Sequence, residues 1–567
     1  MQELEPKFES AVVLEEADTF TSAKLPGTVE FDGLDTQAVL RGWVDSVDVE
    51  AQLFILRAGG YLFEVHCDQP DVIKTLRGLK AEYVVEVTGE RLHDNQAAPA
   101  LRCTAIEVLN VADNPPFTPK LRADVSANVL SRYRYLEFRD PQFQKVFWMR
   151  HKLMLQISNY LDRCGCISVE TPILSTPSAS GSTEFCVNSS RQPELSYVLP
   201  QSSQVYGQLL VMGGVEAYYQ WARCFRDEDL RSNRQPEFTQ LHLEMAFVDR
   251  AKLMEIIEGM LAEACTSVGA PFELPIPRIT FENAMQWYGS DKPDLRFNVE
   301  PELWPHLITE SPFGADLNLI STPMPRGVLL TKDDVEALSH AASQWKFRLL
   351  GFITADRKAR FAKPHLTYEE VVSSLSLETE AKPADIPVWL GRWKFVDNLR
   401  RTVYAHLLGS KTLDDQQSKY AWIIDFPLFN VDPENSARLA SQNHPFTAPV
   451  DTDELLQCRK QKDLLKLKSQ AFDLVVNGEE IGSGSILIHQ YEVQRQIFNI
   501  LGFSRQTVRQ RLGYVLDAMR FGAPPMGGFG LGFDRFVAAV CGENKIRNVI
   551  AFPKTKQGYC PVTRSVG

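Results

Sequence analysis

Between Gly522 and Phe536 the chain reads GAPPMGGFGLGFDRF, five glycines in fifteen residues with Arg535 near the end. This pattern predicts a glycine-rich strand running into a helix. Glycines let the backbone approach a flat or phosphorylated ligand, and an arginine just after them can reach a phosphate. A second motif, FRDEDLRSNRQPEFTQLHLEMAF from Phe225 to Phe247, has alternating strand residues on both sides of a charged loop. That alternation places Arg226, Glu228 and Arg234 on or near one surface. A third, ETPIL at Glu170 to Leu174, carries a strand-end proline and is weak alone. Arginines in two distant motifs, with an acid beside the first, are what a bent nucleoside triphosphate with magnesium would need.

A length of 567 residues suggests three or four domains at about 150 residues each. The 44% hydrophobic and 23% charged content is that of an ordinary globular chain. A net charge of −12 argues against coating nucleic acid by bulk charge and leaves room for a local basic groove. No apolar stretch reaches the length of a membrane span, so no membrane partner is expected. The ten cysteines show no Cys-x-x-Cys pair and no His at zinc-ligand spacing, so they read as reduced thiols. Cys164 and Cys166 are expected as same-face core thiols at a strand entry. Glu3, Glu5, Glu9, Glu15, Glu16 and Asp18 leave neither a presequence nor a secretory signal visible, and cytoplasm and organelle matrix both stay open.

Alternation predicts short strands at 38–44, 53–56, 61–65, 83–89 and 104–111, the pattern of a small β-barrel. Pro115, Pro116 and Pro119 mark 113–120 as a linker. Apolar residues at helical spacing predict a long helix from Gln142 to Asp162, followed by a strand at Cys166 to Val169. Residues 298–420 differ in texture from both flanks and read as an insertion.

With YGSDKPDLRF (288–297), IDFPLF (424–429), NHPFT (443–447), FDLVVNGEEIGSGS (472–485) and AFPKT (551–555), the three motifs resemble class II aminoacyl-tRNA synthetases of the bacterial and mitochondrial aspartyl type. The resemblance implies an α+β multidomain fold. Its parts would be an N-terminal extension (1–30), an OB-fold anticodon-type barrel (31–112), a hinge (113–134), a catalytic domain on an antiparallel sheet (135–297 and 421–567) and an inserted α/β domain (298–420). It implies ATP, Mg²⁺, an amino acid and tRNA as cofactors and partners, and a homodimer with the segment around Pro172 at the interface. Carried over, Arg226 contacts the α-phosphate, Glu228 and Phe238 hold the nucleotide, Arg535 holds the γ-phosphate, and Asp473 and Glu480 hold magnesium. Ser202, Gln204, Gln240 and His444 fall in the amino-acid pocket.

The pocket departs from the family where a substrate aspartate should be recognised. Gly207 stands for a lysine, His242 for an aspartate, Leu487 for an arginine and Asn443 for the first histidine of H-H-P-F-T. A carboxylate set against Leu487 would lose a bidentate pair, at a cost on the order of 3–5 kcal/mol. In the barrel, Asp45, Asp48 and Glu50 stand where the family carries a basic run, so weak anticodon contact is expected. Two readings follow: an aspartyl-type tRNA ligase, or a synthetase-derived paralogue that adenylates another substrate or acts as a non-charging binding or assembly factor.

Overall fold

The computed structural model describes residues 29–31, 37–92, 100–177, 183–228, 230, 233–297, 306–308, 318–321, 332–353, 359–361, 386–391, 396–408, 418–432 and 435–563. Most of the expected N-terminal extension and much of 298–420 lie outside these residues. The chain divides into two compact units, residues 1–154 with 547–567, and residues 155–546.

The first unit carries six strands, β1 (Val29–Phe31), β2 (Gln37–Asp48), β3 (Leu53–Ala58), β4 (Tyr61–His66), β5 (Val84–Leu92) and β6 (Ala100–Asn110). They run in the order β1-β2-β3-β4-β6-β5, and β2 also pairs with β5, which closes the sheet into a barrel. Alternation dictates this. Leu40, Val44, Phe54, Leu56, Val65, Val85 and Val87 point inward and are fully buried, giving one apolar filling. The strands expected from alternation are all present, longer than expected in most cases.

In the acidic run after β2's Val44, Asp45 is turned inward whereas Asp48 and Glu50 are exposed. Asp45 is buried, 3.1 Å from the Arg57 guanidinium and 3.3 Å from Lys120, and Arg57 also pairs with buried Glu82. Asp48 is turned to its own loop, accepting from the amides of Glu50 and Ala51. Alternation placed these residues on strand faces but gave no sign of the buried arginine opposite.

The second unit supplies β7 (Ile167–Ser168), β8 (Cys186–Asn188), β9 (Ser196–Val198), β10 (Ala217–Phe225), β11 (Glu237–Ala246) and β12 (Arg278–Thr280). Residues 306–391 add β13 (His306–Ile308), β14 (Asn318–Ser321), β15 (Arg348–Ile353), β16 (Ala359–Phe361) and β17 (Ile386–Gly391). Then follow β18 (Tyr420–Ile424), β19 (Phe429–Val431), β20 (Leu439–Ser441), β21 (Ala471–Val476), β22 (Glu479–Leu487) and β23 (Met526–Gly532). The main sheet has eight strands in the order β12-β18-β21-β22-β23-β11-β10-β7. Its inner pairings are antiparallel, and only the two edge pairings, β7 with β10 and β12 with β18, are parallel. The fold class is therefore α+β, with an antiparallel catalytic-type sheet and a separate barrel.

The long helix spans Pro141–Arg163, and the strand after it is shortened to β7. Cys166 is buried as expected, whereas Cys164 is exposed. The helix ends at Arg163, so Cys164 lies in the turn before the strand and never shares a strand face with Cys166.

Strands β13 to β17 form their own five-stranded sheet, with Ile320, Leu338, Phe347, Trp389, Val396, Leu399 and Val403 as its core. It is fastened to the YGSDKPDLRF segment. Gly289 has φ +64°, and a Cβ there would collide with Val396. Fully buried Asp294 receives two hydrogen bonds from the Arg296 side chain, at 3.1 and 2.8 Å, and its carbonyl accepts from fully buried Arg400 at 3.5 Å. Arg400 also pairs with Asp397 at 3.0 Å and stacks on the Tyr288 ring at 4.7 Å. Removing one partner of a buried ion pair leaves an uncompensated charge. Asp294→Ala removes the acceptor for partly exposed Arg296 and is therefore expected to destabilise the second unit by roughly 1–3 kcal/mol, read as a lower midpoint in urea unfolding; an unchanged midpoint would contradict this role.

Candidate active site

The site is assembled by strand register. Across the main sheet Gln220 of β10 lies opposite His242 of β11, His242 opposite Gly530 of β23, Gly530 opposite Ser483 of β22, and Ser483 opposite Asp473 of β21. Side chains on β11 alternate, so Leu241 and Leu243 go to the core while Gln240, His242 and Glu244 line a cleft of about 400 Å³. The glycines of β23 make room for them. A Cβ on Gly530 would fall 2.5 Å from the Gln240 amide nitrogen, and one on Gly528 would fall 2.7 Å from Glu244 Cγ. The glycine run thus serves as floor for the β11 side chains.

Ser202, Gln204, Arg226, Gln240, His242, Asn443, His444, Asp473, Glu480 and Leu487 all line this cleft. Four expected residues do not. Phe238 lies beneath Arg226, whose guanidinium stands 5.2 Å from the ring centroid. Glu228 pairs with Arg234 at 2.8 Å in the loop between β10 and β11. Arg535 donates to the Glu480 carbonyl at 2.7 Å and to the Asn233 carbonyl at 3.3 Å, tying that loop to β22. Gly207 is buried in the helix Gln204–Met212, where Tyr218 fills the space a side chain would need.

The electrostatics differ along the cleft. Arg226 Nε is buried without a hydrogen-bond partner, a donor aimed at nothing the chain itself supplies. Asp473 is buried with Oδ1 equally unsatisfied, and burial, then the nearby negative charge of Glu480, pushes its carboxyl up to about 7. Two carboxylates with an open buried oxygen suit a hard divalent cation, which takes oxygen ligands. Among the described residues no larger cluster of His, Cys, Asp and Glu gathers as a metal cage, so further ligands would come from the substrate. Burial alone pushes His444 down to about 4, which keeps it neutral.

Sequence reasoning passed over three residues. Lys292 reaches 3.3 Å from Glu480 and 2.8 Å from Asp291, placing a cation beside the carboxylate pair; YGSDKPDLRF contained it, but nothing in its spacing pointed at β22. Glu244, fully buried, lies with Oε1 3.1 Å from His242 Nε2 and Oε2 without a partner. The alternation Gln240, His242, Glu244 was the available signal. Arg511, at the end of the helix Arg505–Arg511, lines the cleft and is exposed.

A mainly antiparallel sheet with a glycine strand as floor, an arginine over an aromatic ring and a carboxylate pair is an architecture for holding an activated nucleotide. The family described as tRNA synthetases class II (D, K and N) matches residues 126–556, and the chain belongs to it. An "Aspartate--tRNA(Asp/Asn) ligase" of Natranaerobius thermophilus is 33% identical over 557 residues, covering 93% of this chain and 94% of that protein. An "Aspartate--tRNA ligase" of Clostridium beijerinckii is 36% identical over 519 residues, 86% of this chain and 84% of that protein. The fold is shared with the asparaginyl-tRNA synthetase of Pyrococcus horikoshii, solved with asparaginyl-adenylate, at TM-score 0.56 and 18% identity over 92% of this chain and 96% of that one.

Two outcomes follow from the packing and the charges. A Cβ at residue 207 would sit 2.5 Å from Tyr218 Oη and 2.6 Å from its Cε1, so Gly207→Ala should destabilise by about 1–3 kcal/mol, as overpacking does. Adding Tyr218→Leu should cost less than the two single changes summed, and strict additivity would refute the contact. His444 is neutral in the fold down to about pH 4, whereas in the unfolded chain it takes a proton below its ordinary 6.5. Its contribution is therefore present above 6.5 and lost as pH falls through about 4. His444→Gln should lose less stability than the wild type between these values, in chemical denaturation at stepped pH; parallel curves would contradict it.

Proposed function

We propose that this chain is an aminoacyl-tRNA ligase of the aspartyl type, activating an amino acid with ATP and passing it to tRNA. The observation that carries the reading is the convergence of Arg226, Asp473 and Glu480 on one cleft with Gln240 and the glycine floor of β23. The amino-acid carboxylate attacks the α-phosphorus, the bond to pyrophosphate breaks, and an aminoacyl-adenylate remains without a covalent enzyme intermediate. Arg226, held flat by Phe238, donates to the α-phosphate as charge grows there. Gln240, Ser202 and Gln204 orient the amino acid, and positioning supplies much of the remaining acceleration. Asp473 and Glu480 would hold magnesium, which neutralises phosphate charge when bound. Arg535 stiffens the loop between β10 and β11 and has its remaining nitrogen for the outer phosphate.

The homodimer is part of the proposal. Ile167, Ile173 and Leu174, around Pro172, are exposed apolar side chains of the kind a second copy would cover. Contact with the anticodon belongs to the barrel, where Asp45 is neutralised by Arg57 and Lys120 and so offers less repulsion than its sequence implied.

Amino-acid-dependent pyrophosphate exchange into ATP tests this directly. Arg226→Ala should slow exchange by roughly 100- to 1000-fold, the usual effect of losing one transition-state donor. Absence of exchange by the wild type with every proteinogenic amino acid, tRNA included, would contradict the reading.

A further inference from the structure

The inner, amino-acid end of the cleft is a different chemical environment from the phosphate end. Of the charged side chains lining the whole cleft, Arg226, Asp473 and Glu480 belong to the phosphate end. The rest are Arg511, exposed at a helix end, with Glu184 and Glu244. His444 is held neutral by burial. Two acids against one exposed cation disfavour a second carboxylate.

Neither position at which the family places a cation holds one. At Gly207 the Tyr218 ring occupies the volume a lysine stem would take. Leu487 lines the cleft and packs with Val211, Phe446, Phe498 and Met526, so that wall is apolar and carries no charge. What the cleft lining holds in their place is Glu244, with one oxygen on His242 and the other buried without a hydrogen-bond partner. An unsatisfied buried acceptor is costly and is relieved by a donor from the substrate.

Resting on the adenylation reading above, we infer that this pocket selects a small amino acid whose side chain is neutral and donates a hydrogen bond, as a carboxamide does, and turns a carboxylate away. With Oε1 engaged by His242, Glu244 Oε2 is the atom that accepts from a substrate N–H donor. An aspartate carboxylate there would set acceptor oxygens against the Glu244 Oε2 acceptor and leave both without a donor. Leu487 gives the apolar wall against which a short side chain packs.

The test is calorimetric titration of the full-length chain, with Mg²⁺, by three non-hydrolysable sulfamoyl-adenosine adenylates carrying asparagine, aspartate and lysine, with ATP as control. The asparaginyl compound should bind tightest, ahead of the aspartyl one by roughly 100-fold. Equal or tighter binding of the aspartyl compound would overturn the inference and would point to Arg511 as the carboxylate's new partner. Preference for the lysyl compound would overturn it, because the side chain selected would then be a cation and not a neutral donor. Binding of ATP with no gain from the asparaginyl group would also overturn it. If neither ATP nor any adenylate bound, the adenylation reading itself would fall and take the inference with it.

Discussion

The site depends on one close approach, that of the β11 side chains to the β23 backbone. Gln240 and Glu244 lie over Gly530 and Gly528 so closely that an added Cβ would force either side chain to move. Because β23 has almost no side chains at this level, β22 and β11 can present Ser483 and His242 along one level row that runs on to Asp473. The glycines cost backbone entropy and stability in a strand interior. A strand that gives these up mid-sheet is explained by what it admits, and the run GGFGLG admits the side chains of β11.

The same economy leaves buried polar atoms unsatisfied. Arg226 Nε, Asp473 Oδ1 and Glu244 Oε2 have no hydrogen-bond partner in the chain. Buried donors and acceptors are nearly always paired in folded proteins, and unpaired ones mark strain or function. Here they fall in a single cleft, and each suits a different part of one reaction: a phosphate oxygen, a divalent cation, and a side-chain donor. Lys292, 3.3 Å from Glu480, offsets part of the charge of the carboxylate pair within the free protein.

Much of this was legible in the sequence, for reasons that can be named. Period-two alternation located the barrel strands, helical spacing located Pro141–Arg163 within a residue at each end, and the glycine run located the floor of the cleft. Motif order located ten of the lining residues. Information about partners across the fold was not legible. Asp45 reads as an exposed acid until Arg57 is seen against it, and Cys164 reads as a core thiol until the helix end at Arg163 leaves it in a turn. Gly207 reads as a missing lysine, whereas the fold shows a tyrosine standing in its place. Glu244 carried no motif of its own, since its meaning comes from His242 two residues earlier on the same face of β11.

The central claim is that one cleft holds the nucleotide, with Arg226 at one wall and the Asp473–Glu480 pair at the other. A crystal structure with ATP and Mn²⁺, read by anomalous scattering, tests it most directly. The account predicts a manganese peak bridging Asp473, Glu480 and phosphate oxygens, with Lys292 withdrawn from Glu480 and the α-phosphate within hydrogen-bond reach of Arg226. Nucleotide bound outside the cleft, or manganese bound away from both carboxylates, would contradict it.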